Sequence, residues 1–189
     1  MQTTQERYDM LYETMEFLDG KHSDAVEIAD QIKRNQFRYK AAVSGTPVPW
    51  YVLALIHQME ADGDFRKQVV NGEPFDRTTR LYPKGQGPWT SWESAALWAL
   101  QKSEDFQLFN KTEWPRWKTL YRLECYNGVG YQNKGLPSPY LWAGSNHGAG
   151  VGKFVERLGS DGEYHATYDP TLMSNQIGAA LIYKVLMEG

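Results

Sequence analysis

A single cysteine, Cys125, leaves the chain no intramolecular disulfide, and four histidines scattered over 189 residues give no zinc-ligand spacing. No apolar run approaches the roughly 18–20 residues of a membrane span. Residues Met1 to Arg7 have neither a basic n-region nor an apolar h-region, so no secretory signal is expected. Excess charge is missing as well. Twenty Lys and Arg against 23 Asp and Glu give a formal net charge of −3, which argues against nucleic acid as a partner. What remains is enough chain for one globular domain with a core of its own. Aromatics are abundant, at 14% with seven Trp and twelve Tyr. Their faces fill cores and also stack on sugar rings.

Helical spacing of Tyr8, Leu11, Tyr12 and Met15 predicts a first helix over Thr4 to Asp19, stopped at Gly20. A second is expected from Ser23 to about Ala42. Pro49 suits the first turn of a third, where its missing N–H costs nothing. That third segment, Trp50 to Glu60, is apolar all round for its first seven residues, the mark of a buried helix. It ends at Asp62-Gly63. Turn signals at Asn71-Gly72, Glu73-Pro74, Gly85 and Gly87-Pro88 flank β-prone pieces at Val69-Val70 and Thr78 to Tyr82, predicting a small β-hairpin lobe. Thr90-Ser91-Trp92-Glu93 reads as a capping box opening a helix. Further helices are expected over Glu113 to Cys125 and after Asp169-Pro170. The expected fold is mainly α (α+β): N-terminal helices in 1–45, a central helix in 46–64, a β-lobe in 65–88 and a helical lobe in 89–189.

Glu60 is the leading candidate for chemistry. Burial and the negative end of the helix dipole both favour a protonated carboxyl, which a general acid needs. The plain alternative is a solvated residue at a frayed helix end. On the helix around Glu124, Trp117, Leu120 and Tyr121 share its face, so Glu124 is expected to be buried, as a structural anchor or beside the acid.

The segment Ala54 to Phe65, ending Glu60-Ala61-Asp62-Gly63-Asp64-Phe65, resembles the catalytic-glutamate helix of goose-type lysozymes and lytic transglycosylases. Glu124-Cys125-Tyr126-Asn127-Gly128-Val129-Gly130-Tyr131 resembles their Tyr-Asn-Gly segment. Asn71-Gly72-Glu73-Pro74, Arg77-Thr78 and Ser138-Pro139-Tyr140-Leu141-Trp142 are similar to motifs of phage and bacterial lysozyme-like endolysins. The resemblance covers residues 48 to 152. It implies a lysozyme-like helical domain with a small β-hairpin lobe. The implied reaction is cleavage of the β-1,4 bond between N-acetylmuramic acid and N-acetylglucosamine in peptidoglycan. Glu60 would protonate the leaving oxygen. Glu73, and after it Asp76, are the candidates for a second carboxylate, which a hydrolase needs and a transglycosylase giving 1,6-anhydro products does not.

The resemblance further implies that Thr78, Glu124, Tyr126, Asn127 and Tyr131 bind substrate, and Tyr140 and Trp142 could line a sugar cleft. Asn127-Gly128 is equally good helix C-cap chemistry, and an aromatic is as readily core. His57 reads as a core histidine. Gly148, Gly150, Gly152 and Lys153 fail as a phosphate loop, since His147 and Phe154 stand where a glycine and a Ser or Thr are needed. No metal or organic cofactor is implied, and a monomer is expected. Such a protein would be made in the cytoplasm and reach the wall by holin-type release, lysis or virion delivery. The rival readings are a chitinase-like hydrolase and a non-catalytic glycan-binding or virion structural protein.

Overall fold

The computed structural model describes residues 2–81, 83–102 and 106–189. In chain order it contains α1 (Thr4–Glu13), α2 (Lys21–Arg34), α3 (Gln36–Ala42), α4 (Trp50–Ala61), α5 (Trp92–Lys102), α6 (Phe106–Phe109), α7 (Arg116–Asn127), α8 (Gly130–Asn133) and α9 (Pro139–Trp142). An antiparallel pair, β1 (Gly152–Leu158) and β2 (Tyr164–Met173), precedes α10 (Ala179–Glu188). The fold is mainly α with a small antiparallel β element. No helix among the described residues is long and apolar enough to cross a membrane.

The helix without a polar face is the hub. In α4, Val52 to His57, Met59 and Ala61 are buried, and α3, α7 and α10 pack around it. Burying an apolar side chain is worth about 1.5–3 kcal/mol, so the placement of α4 dominates the fold. Helix α1 lies on α7, where Arg116 bridges Asp9 at 2.9 Å and Glu13 at 2.6 Å.

Two expected helices are shorter than their apolar spacing suggests. The predicted second helix breaks at Asn35, whose side-chain amide donates to the Gln31 carbonyl at 2.9 Å and competes with the helical ladder. The first ends at Glu13; four residues on, Phe17 bridges to Ser145. The capping box of α5 is offset by one residue. Ser91 and Ser94 exchange side-chain-to-backbone bonds at 3.1 and 3.2 Å, while Glu93 pairs with Arg38 at 2.6 Å.

The β-hairpin stands elsewhere than expected. Among the described residues, 65–88 contains one isolated bridge, Lys67 to Pro74, and no strand; Tyr82 lies outside the described residues. Two amides that a ladder would use, those of Arg80 and Leu81, donate to the Glu73 carboxylate instead. Asp169-Pro170, expected to cap the last helix, lies in β2, and α10 starts only after Gly178. Between the pairs Lys153–Asp169 and Gly152–Met173 the ladder bulges. A bulge tolerates Pro170, which has no N–H to donate.

His57 is fully buried among Tyr39, Phe65 and Trp92, with ring centroids 4.6 Å from Trp92 and 4.7 Å from Phe65. Its Nδ1 lies 3.0 Å from the Tyr39 hydroxyl. Burial pulls its pKa from 6.5 to about 4, partly offset by the backbone of Asp64. Between those values the unfolded chain takes up a proton that the folded one refuses. His57 therefore supports stability at neutral pH, and that support is lost as pH falls through the window. An NMR titration should show one histidine ring neutral down to about pH 4. Four rings titrating together near 6.5 would contradict the burial.

Candidate active site

Glu60 occupies the last turn of α4 and is half-buried. The helix stops two residues later at Asp62, whose left-handed φ of 52° turns the chain out and whose N–H closes on the Gln58 carbonyl at 3.0 Å. Segment 65–88 then folds back over this end. Phe65 anchors it on His57 and Trp92. Gly72 lies so close that an added Cβ would stand 2.9 Å from the Glu60 carbonyl oxygen, and its φ of +71° is one that other residues rarely adopt. Two constraints require glycine there.

Glu73 is a clasp. Its carboxylate accepts the N–H groups of Arg80 and Leu81 at 3.0–3.1 Å and the side-chain amide of Asn71 at 3.1 Å. Its own N–H donates to the Asn71 side chain at 3.0 Å. These bonds tie the 71–74 turn to residues 80–81, so the group expected to do chemistry also sets the shape of the lobe. Asp76 is exposed, with Arg77 4.0 Å away. Thr78 is exposed too, and lines a cavity of about 630 Å³ with Glu73, Arg77 and Arg80. Its neighbour Thr79 is the buried organiser: its hydroxyl donates to the Pro83 carbonyl and accepts from the Gln86 N–H at 3.0 Å.

The Tyr-Asn-Gly segment ends α7, with Gly128 at the C-cap. The Tyr126 hydroxyl donates to the Val69 carbonyl at 2.9 Å, joining α7 to the strip that leads to Gly72. Asn127, Tyr131 and Tyr140 share a cavity of about 350 Å³ with Lys153 and Gln176. Tyr131 is itself buried: its hydroxyl donates to the Gly152 carbonyl and accepts the Phe154 N–H, both at 3.2 Å, and its ring meets Phe154 and Tyr168. It holds the foot of the hairpin.

Two expected substrate contacts do not reach a cleft. Trp142 is fully buried and belongs to the core. Glu124 is 1% exposed and faces α1, where the Tyr8 hydroxyl donates to its Oε2 at 2.5 Å. The apolar stripe on α7 carries Glu124 into the interior rather than to the meeting point of stripe and cleft. Sequence reasoning passed over Gln176, whose amide donates to the Met59 carbonyl at 3.1 Å, one residue before Glu60. A lone glutamine ahead of a helix carries no signal of its own.

Among the described residues no group of three or more His, Cys, Asp or Glu is placed to hold a metal ion. No protein-family model matches the chain, and no curated protein or solved structure is significantly similar to it. The site therefore rests on its geometry. The turn at Gly72 and the side chain of Gln176 meet the backbone around Glu60, and Tyr126 at the end of α7 holds the strip that leads to Gly72.

Two substitutions check this construction. Gly72→Ala should cost about 1–3 kcal/mol from the left-handed backbone and the contact with the Glu60 carbonyl, read by denaturant unfolding; an unchanged midpoint would mean the turn does not press on α4. Burial raises the pKa of Glu124, against the pull of the Tyr8 hydroxyl, and its Oε1 has no hydrogen-bond partner among the described residues. An ionised Glu124 thus costs stability as pH rises above the ordinary carboxyl range. Glu124→Gln should gain on the wild type from pH 4 to pH 8, measured by thermal unfolding, and a constant difference would place this carboxyl in water.

Proposed function

We propose that the chain is a peptidoglycan-cleaving glycosidase of the muramidase type, acting on the β-1,4 bond between N-acetylmuramic acid and N-acetylglucosamine with Glu60 as general acid. The observation that supports this reading best is the half-buried carboxyl-bearing residue in the last turn of a helix whose residues Val52 to His57 are all buried, with the turn at Gly72 folded against its carbonyl. The order of motifs along the chain, resembling goose-type lysozymes and lysozyme-like endolysins, supplies the substrate class. Peptidoglycan in the cell wall would be met after holin-type release, lysis or virion delivery.

In this reading the Glu60 proton passes to the glycosidic oxygen as the bond from C1 to that oxygen breaks. Positive charge develops on C1 and the ring oxygen. In hydrolysis a water oxygen then bonds to C1 while its proton goes to a carboxylate. In the transglycosylase reaction the muramic C6 hydroxyl oxygen attacks C1, and its proton returns to Glu60.

The second route draws support from a specific observation: the Glu73 carboxylate is already engaged by three donor residues of its own lobe, Asn71, Arg80 and Leu81. Asp76 remains the exposed carboxylate of that lobe.

Glu60→Gln keeps the shape of the side chain and removes the proton. Clearing of a peptidoglycan zymogram should fall at least about a hundredfold with the fold intact. A folded Glu60→Gln protein that clears normally would end the proposal, and binding without clearing by the wild type would favour a non-catalytic glycan-binding protein. Mass spectrometry of the soluble products separates the routes: reducing ends mean hydrolysis, 1,6-anhydro ends mean transglycosylation. Faster cleavage of N-acetylglucosamine homopolymer than of peptidoglycan would favour a chitinase-like hydrolase.

A further inference from the structure

Charge is unevenly placed along this chain. Residues 65–88 hold five Lys and Arg against two Asp and Glu, in a chain that carries 20 against 23 overall. The segment folded over the end of α4 is therefore cationic, and the excess of acid lies in the rest. One of its cations is already engaged: the Arg66 guanidinium forks onto the Asp64 carboxylate at 2.8 and 2.9 Å. Arg80 and Lys84 are exposed and make no ion pair among the described residues. Arg77 has Asp76 alone, 4.0 Å away and open to solvent. A pair so long and so exposed contributes little.

Arg77 and Arg80 line one cavity of about 630 Å³, within the ordinary range for a ligand site, about 300–1,000 Å³. Glu73 also lines it, but both Glu73 oxygens accept hydrogen bonds from their own loop, from the N–H groups of Arg80 and Leu81 and the amide of Asn71. Among the described residues no ion pair joins Glu73 to either guanidinium. The backbone under the arginines is fixed. Glu73 holds the Arg80 N–H, and Thr79 closes the loop beyond it, donating to the Gln86 carbonyl at 2.9 Å and accepting the Gly85 N–H at 3.0 Å.

A held backbone beneath two exposed guanidiniums is preorganised for an oxyanion. Each guanidinium presents a planar fork that matches a carboxylate in two parallel hydrogen bonds. Two like charges at one cavity repel each other, and a bound anion relieves that repulsion. A neutral sugar offers nothing of the kind. The cavity is lined without Glu60, so its part is to hold a ligand and not to react with it.

We propose that the 65–88 lobe carries an oxyanion site at Arg77 and Arg80 that anchors peptidoglycan by its carboxylates, those of the muramic lactyl groups or of the stem peptides. The inference rests on the peptidoglycan reading above. Its test uses the full chain with Glu60→Gln, titrated by calorimetry with soluble peptidoglycan fragments that keep their stem peptides, and with the same fragments after their carboxylates are converted to amides. Adding Arg77→Gln and Arg80→Gln together should weaken the native fragments at least about tenfold and the amidated ones less than about twofold. Both side chains are exposed, so thermal unfolding should not change. Arg77→Lys with Arg80→Lys keeps the charge without the fork and should recover part of the loss. Without these substitutions, raising salt from about 50 to about 500 mM should by itself weaken the native fragments. Strands stripped of stem peptides separate the two sources: dependence on the arginines that persists there assigns the lactyl groups, and dependence that disappears assigns the peptides. Native and amidated fragments weakened alike, neither weakened, or binding indifferent to salt, while the wild type still clears peptidoglycan, would overturn the oxyanion site and leave the function standing. A wild type that neither binds nor cleaves peptidoglycan would overturn both.

Discussion

A helix without a polar side has to be surrounded, and this requirement organises the molecule. Residues Val52 to His57 of α4 are all buried, so other helices must pack around them and the segment's ends are the only places where it can meet solvent. Glu60 lies at one such end. Its half-buried state follows from its distance along the helix from the apolar run. The candidate acid is placed by the core.

The covering of that end uses contacts of a different kind. Segment 65–88 has little core of its own and is held by a side-chain carboxylate that replaces ladder hydrogen bonds, by a glycine pressed on a carbonyl, and by the aromatic packing of Phe65 on His57 and Trp92. Such a lobe keeps its shape through a few polar bonds, each worth about 0.5–1.5 kcal/mol net. Val69 joins it to the helical core, with Phe65, Val70 and Phe75 packed against that core.

The helical parts were legible where one signal was strong. The apolar run of α4, the stop at Asp62-Gly63 and the start after Pro49 all stand in the sequence. The buried stripe that includes Leu120 and Glu124 was readable from spacing, but its direction was not, because a stripe shows that a face is covered and does not name what covers it. The partner of Glu124 is Tyr8, 116 positions earlier. The β element was misplaced for a related reason. Val69-Val70 and the piece starting at Thr78 satisfy local strand preferences, yet the N–H groups of Arg80 and Leu81 are drawn off by Glu73. The true pair, β1 and β2, contains Asp169-Pro170, which read alone signals the start of a helix. Gln176 and Lys153 had no local signature, since their place comes from long-range packing alone.

The hairpin leaves the body at Gly152 and returns at Met173, which face each other as paired residues, and a cluster of tyrosines seals that junction. A chain that departs and returns at the same point imposes no spacing on the rest of the fold. The outer part of the hairpin can therefore be lengthened, trimmed or exchanged without moving either helix that flanks it. The junction behaves as a socket, and the arm seated in it is the part of this molecule whose length is free to vary while the core stays constant.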